Sequence, residues 1–249
     1  MSGALAGKTV LVTGGARRLG SAICRRLHAA GANVVVNYHR AQQDAQALLR
    51  ELNGRRADSA VLARADLLAT GALPQLVRDT LAAFGQLDAL VNNASSFYPT
   101  PVGEIGEQAW DDLLGTNLKA PLFLAQAAAP ELRKAHGCIV NIIDIHAELP
   151  LKNHLVYNTA KGGLLALTRS LARELGPQVR VNGVSPGAIL WPEDPAWQNE
   201  LERRRIVNQT LLQRTGEPED IAGAVEFLLT APYVTGQIIA VDGGRSIVL

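Results

Sequence analysis

Two hydrophobic periods alternate along the chain. Short runs dense in Val, Ile and Leu, namely "TVLVTG", "NVVVNY", "AVLARAD", "LDALVNNA", "CIVNIID", "VRVNGVSPG" and "GQIIAVDGG", are separated by longer stretches such as "RLGSAICRRLHAAG" and "GALPQLVRDTLAAFG", where apolar residues recur at helical spacing. Strands of nearly continuous apolar residues are buried on both faces and need helices above and below them. The pattern therefore predicts an α/β fold: a parallel sheet with helices on each side, in a single domain spanning 1–249. Gly31 and Gly85 stand where two of the helices are expected to stop. One region breaks the alternation. Pro186, Pro192 and Pro195 interrupt "PGAILWPEDPAWQNELERRR", and residues 188–212 are expected to form a lid within the domain.

Composition excludes some classes. A chain of 249 residues can bury roughly 75% of its unfolded surface in one core. With 24 Lys and Arg against 23 Asp and Glu, the net charge of +1 offers no global field for nucleic acid or an anionic membrane. Any anion must be held locally. Cys24 and Cys138 suit neither a metal site nor a disulfide framework, and they read as buried thiols in a reducing compartment. The N-terminus enters a strand almost at once without a leader pattern, and no apolar run approaches the ~18 residues of a membrane span, so the expected location is the cytoplasm.

In an open parallel sheet ligands bind beyond the carboxyl ends of the strands, so the residues closing each strand carry the most information. The first strand is followed by "TGGARRLG", opening a helix. Gly14, Gly15 and Gly20 allow a tight turn and close backbone approach, and the helix start presents free N–H groups to a pyrophosphate; a purely structural loop is the alternative. Arg17 and Arg18 sit at the positive end of the helix dipole, which a bound phosphate would favour and solvated side chains would not need. The second strand ends in His39 and Arg40, where an acid would accept from the 2′-hydroxyl of NAD. A guanidinium there suits a 2′-phosphate and points to NADPH, against a plain surface arginine. Asp66 closes the third strand and either meets the adenine or caps a turn.

The stretch "NIIDIHAE" runs a buried strand into Asp144, and "YNTAK" places Tyr157 and Lys161 one helical turn apart on one face. A phenol near pKa ~10 is a poor acid at neutral pH, and an adjacent ammonium lowers it by favouring the phenolate. Alone, such a pair also arises on ordinary helix surfaces. His146 and His154 show no metal-ligand spacing and are expected to be loop residues, with no metal in the chemistry.

Together with the glycine turn, "NNA" at 92–94, Asn117 in "LLGTNLKAP", "PG" at Pro186 and Gly187, and "VDGG", this pair resembles the short-chain dehydrogenase/reductase family along the whole chain. The resemblance implies a Rossmann-type doubly wound parallel sheet of about seven strands and a homotetramer in which Tyr157 exchanges the proton, Lys161 lowers its pKa and holds the nicotinamide ribose, and Asn117 anchors a water relay. It further implies that the cofactor lies along Gly14, Arg17, Arg18, Leu19 and Gly20, then His39, Arg40, Asp66 and Leu67, then Asn93, Ala94 and Ser95, and finally Tyr157, Lys161, Pro186 and Gly187. Three departures from the common family pattern are informative: Arg18 replaces the middle glycine of the turn, Ser95 follows "NNA", and Asp144 stands where a Ser usually ends the fifth strand. With His39 and Arg40 they resemble the pteridine reductase branch. That likeness implies a pterin substrate touching Arg18, Ser95, Phe97, Asp144 and Tyr157, with Phe97 stacked on the ring; a loop anchor at Phe97 and a helix or turn cap at Asp144 are the lesser alternatives. Reducing a pterin C=N bond needs hydride on carbon and a proton on nitrogen, and a carboxyl group can supply or relay the proton. A carbonyl or 3-oxoacyl thioester reductase of the same family is the rival, and a non-catalytic NADP-binding regulatory protein is the rival from another class.

Overall fold

A computed structural model describes residues 3–192 and 197–248. The chain alternates strand and helix from end to end: β1 (Thr9–Val12), α1 (Arg18–Ala29), β2 (Asn33–Tyr38), α2 (Gln42–Arg55), β3 (Ala60–Arg64), α3 (Leu73–Phe84) and β4 (Ala89–Asn92). It continues through α4 (Glu107–Leu114), α5 (Ala120–Ala135), β5 (Cys138–Ile142), α6 (Leu155–Leu175), β6 (Arg180–Pro186), α7 (Glu200–Asn208), α8 (Pro218–Thr230), β7 (Ile238–Val241) and α9 (Arg245–Val248). All seven expected strands form, and they pair in parallel in the order β3-β2-β1-β4-β5-β6-β7.

Side-chain alternation splits the sheet's apolar residues between two cores. Val10, Val12, Val34, Val36 and Val140 enter one core with Ile23 and Leu27 of α1 and Val225 of α8. Leu11, Val35, Leu90 and Ile139 enter the other with Leu76 of α3 and Leu124 of α5. This is why the strands read as unbroken apolar runs: both faces are covered. Gly85 ends α3 at φ 73, the left-handed conformation that glycine adopts without cost. Both thiols are buried, and burial raises Cys24 to about 12 and Cys138 to about 11, so neither is a ready nucleophile.

The strand order reverses between β1 and β4, and a crevice opens at their carboxyl ends. The segments after all seven strands converge on that edge. Of the expected lid, the chain up to Pro192 and from Trp197 through α7 is described, whereas Pro195 lies outside the described residues. No helix among the described residues is long and apolar enough to cross a membrane.

Candidate active site

The turn after β1 is built by close packing. Gly14 has φ 58, and a Cβ there would come within 3.0 Å of Ala94 Cα; a Cβ on Gly20 would collide with the Gly14 carbonyl oxygen and reach Asn93 Nδ2 at 2.7 Å. Asn93 in turn donates from Nδ2 to the carbonyls of Thr13 and Gly14 at 2.9 and 3.1 Å, tying β4 to the turn. Arg18 holds φ 52, so the position where the family's glycine is replaced keeps a glycine-like backbone. Its Nη2 donates to the carbonyls of Leu190 and Trp191 at 3.3 and 3.1 Å, bridging the turn to the segment after β6.

A cavity of about 520 Å³ lies over this turn. Gly14, Arg17, Arg18, Leu19, Gly20, His39, Arg40, Asp66, Leu67, Asn93, Ala94 and Ser95 all line it. Basic side chains dominate its rim, a donor set that fits a dinucleotide's phosphates, and the glycines leave room for a backbone-hugging ligand. Asp66 takes the cap role, accepting from Leu68 N–H at 3.0 Å, and also lies 3.8 Å from His39 Nδ1. A wider groove of about 1300 Å³ runs from Arg40 to Trp110 but holds none of the reactive side chains, so size alone does not select the site.

A second cavity of about 500 Å³ shares Arg17, Arg18, Leu19, Asn93 and Ser95 with the first and is closed by Asp144, Tyr157, Lys161, Pro186 and Gly187. Tyr157 Oη donates to Asp144 Oδ2 at 2.7 Å, while Asp144 Oδ1 accepts from His146 N–H at 2.9 Å. Asp144 is thus both the cap of a short 3-10 turn, Ile145–Ala147, and the partner of the phenol. Lys161 is 2% exposed, donates to the Ile142 carbonyl at 3.0 Å, and lies 5.6 Å from the Tyr157 ring centroid. Burial lowers the Lys161 ammonium to about 8, with Asp144 pulling it back up.

The expected lowering of the Tyr157 phenol does not occur in this structure. Burial raises it well above its usual value, and the charge of Asp144 and the hydrogen bond to it raise it further; the Ser95 hydroxyl opposes them. Burial and the carboxylate at 2.7 Å set this direction, while the Lys161 ammonium is directed to the Ile142 carbonyl.

Asn117 is the site candidate that does not reach either cavity. It is fully buried in the π-helical turn Gly115–Lys119 between α4 and α5. Its Oδ1 accepts from Ser95 Oγ at 2.6 Å, and its Nδ2 donates to the Ser96 and Leu113 carbonyls, each at 2.9 Å. It pins the loop that carries Phe97. Phe97 lines the second cavity, stacks on His154 at 4.7 Å and meets Tyr157 edge-on at 4.8 Å. His154 is therefore part of an aromatic cluster with Phe97, Tyr157 and Trp197, not a plain loop residue. Burial lowers its pKa, with the hydrogen bond to the Lys152 carbonyl opposing. His146 also lines the cavity, its Nδ1–H donating to the Leu149 carbonyl at 2.8 Å. Arg245 at the second cavity was missed as well, since the "VDGG" motif says nothing about the side chain that follows it.

A family model described as enoyl-(acyl carrier protein) reductase matches residues 14–246. Pteridine reductase 1 of Leishmania tarentolae is 41% identical, covering 95% of this chain and 96% of that protein. The 3-oxoacyl-[acyl-carrier-protein] reductase FabG of Staphylococcus aureus (strain Mu50) is 35% identical, covering 95% and 97%. With a seven-stranded parallel sheet, a glycine turn at its switch point and a Tyr and Lys on one helix face beyond β5, the chain belongs to the short-chain dehydrogenase/reductase family.

Proposed function

We propose that this chain is an NADPH-dependent pteridine reductase that converts dihydropterins to tetrahydro forms. The observation that carries the reading is the 2.7 Å hydrogen bond from Tyr157 to Asp144 in a cavity walled by Phe97. The 41% likeness to a pteridine reductase over nearly the full length supports it. NADPH supplies the hydride that reduces the ring carbon. Around it the chain's own groups have distinct tasks. Arg17 and Arg18 are placed to neutralise pyrophosphate, and Arg40 with His39, both exposed at the rim, to receive a 2′-phosphate that an acid would repel. Lys161 holds the nicotinamide ribose and keeps a positive charge beside the acid pair.

Asp144 and Tyr157 act as one proton-donating unit. A ring nitrogen beside their shared proton receives it, and the charge left on the pair is stabilised by Lys161. Phe97 offers a flat face to the ring, an arrangement worth about 0.5 to 1.5 kcal/mol beyond burial. Asn117 is a positioning residue acting through Ser95 and Ser96. The same reading extends to a homotetramer in the cytoplasm; exposed apolar side chains on α4, α5 and α8, among them Trp110, Phe123 and Phe227, support subunit contact.

The second reading is reduction of a 3-oxoacyl thioester, favoured by the 35% likeness to FabG. A carbonyl needs an oxygen-orienting hydroxyl where this chain has a carboxylate. A panel following oxidation of NADPH and of NADH, with 7,8-dihydrobiopterin, dihydrofolate and an acetoacetyl thioester side by side, separates the two. Turnover of a dihydropterin with NADPH preferred is expected. Turnover of the thioester alone would replace the pterin assignment with the second reading.

A further inference from the structure

One charge in the second cavity has no task in the reaction just described. Arg245 opens α9 directly after "VDGG", is only 8% exposed, and lines the same cavity as Asp144 and Tyr157. Its buried Nε has no hydrogen-bond partner, and among the described residues its guanidinium enters no hydrogen bond or ion pair. The two carboxylates whose charge it feels are engaged elsewhere. Asp144 accepts from Tyr157 Oη and His146 N–H. Asp242 accepts from the Gly244 and Ser246 N–H groups at 2.9 and 2.7 Å.

A buried guanidinium without a counter-charge is costly, and five donors in a planar fork suit a carboxylate better than any neutral group. The other cations at this cavity are spoken for: Arg17 and Arg18 border the glycine turn, and Lys161 donates to Ile142. Arg205 on α7 adds positive charge to the same corner, and the carboxylates that face Arg245 do not neutralise it by contact. Among the described residues, the cavity therefore has a corner that lacks an anion.

We propose that Arg245 binds a carboxylate on the substrate's side chain and makes the enzyme selective for anionic over neutral substrates. The ring to which that carboxylate is attached rests on the pterin reading; the anion does not. A short substituent and a longer acidic tail share this chemistry, so both belong in the test.

The experiment measures dissociation constants on enzyme saturated with NADP⁺. Pterin-6-carboxylate is compared with 6-hydroxymethylpterin, folate supplies the long-tailed acid, and a 3-oxo acid is compared with its methyl ester. Wild type, Arg245→Gln and Arg245→Lys are used, with NADP⁺ affinity as the check on folding. Wild type is expected to bind an acid ~10- to 100-fold more tightly than its neutral partner, the range of a charge-assisted hydrogen bond. That ratio should fall to near one in Arg245→Gln and be partly kept in Arg245→Lys, with NADP⁺ affinity unchanged. Whether pterin-6-carboxylate or folate shows the larger loss assigns the tail length.

If no pterin binds but the oxo acid is preferred over its ester in an Arg245-dependent way, the pterin ring is wrong and the anion site stands. If neither pair shows a preference in wild type, or the preference survives Arg245→Gln, the inference is overturned. A Gln variant that binds every ligand like wild type but forms a smaller assembly would assign Arg245 to subunit contact and overturn it equally.

Discussion

At Tyr157 the surroundings oppose ionisation, while at Lys161 they oppose protonation. Both effects follow from burial within one shell around Asp144. The fall of Lys161 from 10.5 to about 8 corresponds to about 3 kcal/mol of disfavoured charge. Losing its hydrogen bond to the Ile142 carbonyl costs about 1 to 3 kcal/mol. Lys161→Met should therefore be at least as stable as wild type at pH 7 although it loses activity. Because the folded pKa is depressed for a base, the unfolded chain binds more protons between about 8 and 10.5, and wild-type stability rises with pH across that window. Tyr157 acts in the opposite sense only above pH ~10, where the unfolded phenol ionises. Urea melts from pH 7 to 10 should show the variant's advantage shrinking; a constant gap would mean the ammonium is not destabilised by burial. The sequence placed Tyr157 and Lys161 one turn apart, but not the carboxylate's hold on the phenol. That depends on how β5 delivers Asp144 opposite α6.

At the scale of elements, the start of α1 shows how propensity loses to packing. Alanine is favoured over glycine inside a helix by about 1 kcal/mol. At Gly20 the added Cβ would meet the Gly14 carbonyl and Asn93 Nδ2, and such overpacking costs about 1 to 3 kcal/mol. Gly20→Ala is expected to lower stability and to weaken NADPH binding at least tenfold, since the turn must open to admit the methyl. A urea melt and a cofactor titration check this; a variant more stable than wild type with full affinity would show that the turn yields easily. The turn's chemistry was readable from "TGGARRLG", but the left-handed backbone of Arg18 was not, because a non-glycine residue carries no local signal for positive φ. Likewise, the loop after β4 announced Phe97, yet its stacking on His154 depends on the bridge between Thr100 and His154 that ties the loop to α6. Nothing in local spacing encodes that bridge.

Over the whole molecule, the seven strands and their order put the segments that follow each of them on one edge, and the two adjoining cavities there share the arginines of the first turn. Parallel β/α alternation was legible because burial on both faces leaves an unbroken apolar signature in each strand. Arg245 was not legible, because its place in the second cavity is set by how β7 and α9 return to the edge formed by β5 and β6, some hundred residues from Asp144 in the chain. The central claim is that Asp144 and Tyr157 donate the proton as a unit, and the most direct measurement is the rate of NADPH-dependent dihydropterin reduction by Asp144→Asn from about pH 5 to 8. Lost general acid catalysis predicts a kcat lower by about 10² to 10⁴ with NADPH affinity intact, and no full further loss when Tyr157→Phe is added. Reduction at the wild-type rate across that range would make Asp144 a turn cap alone and contradict the account.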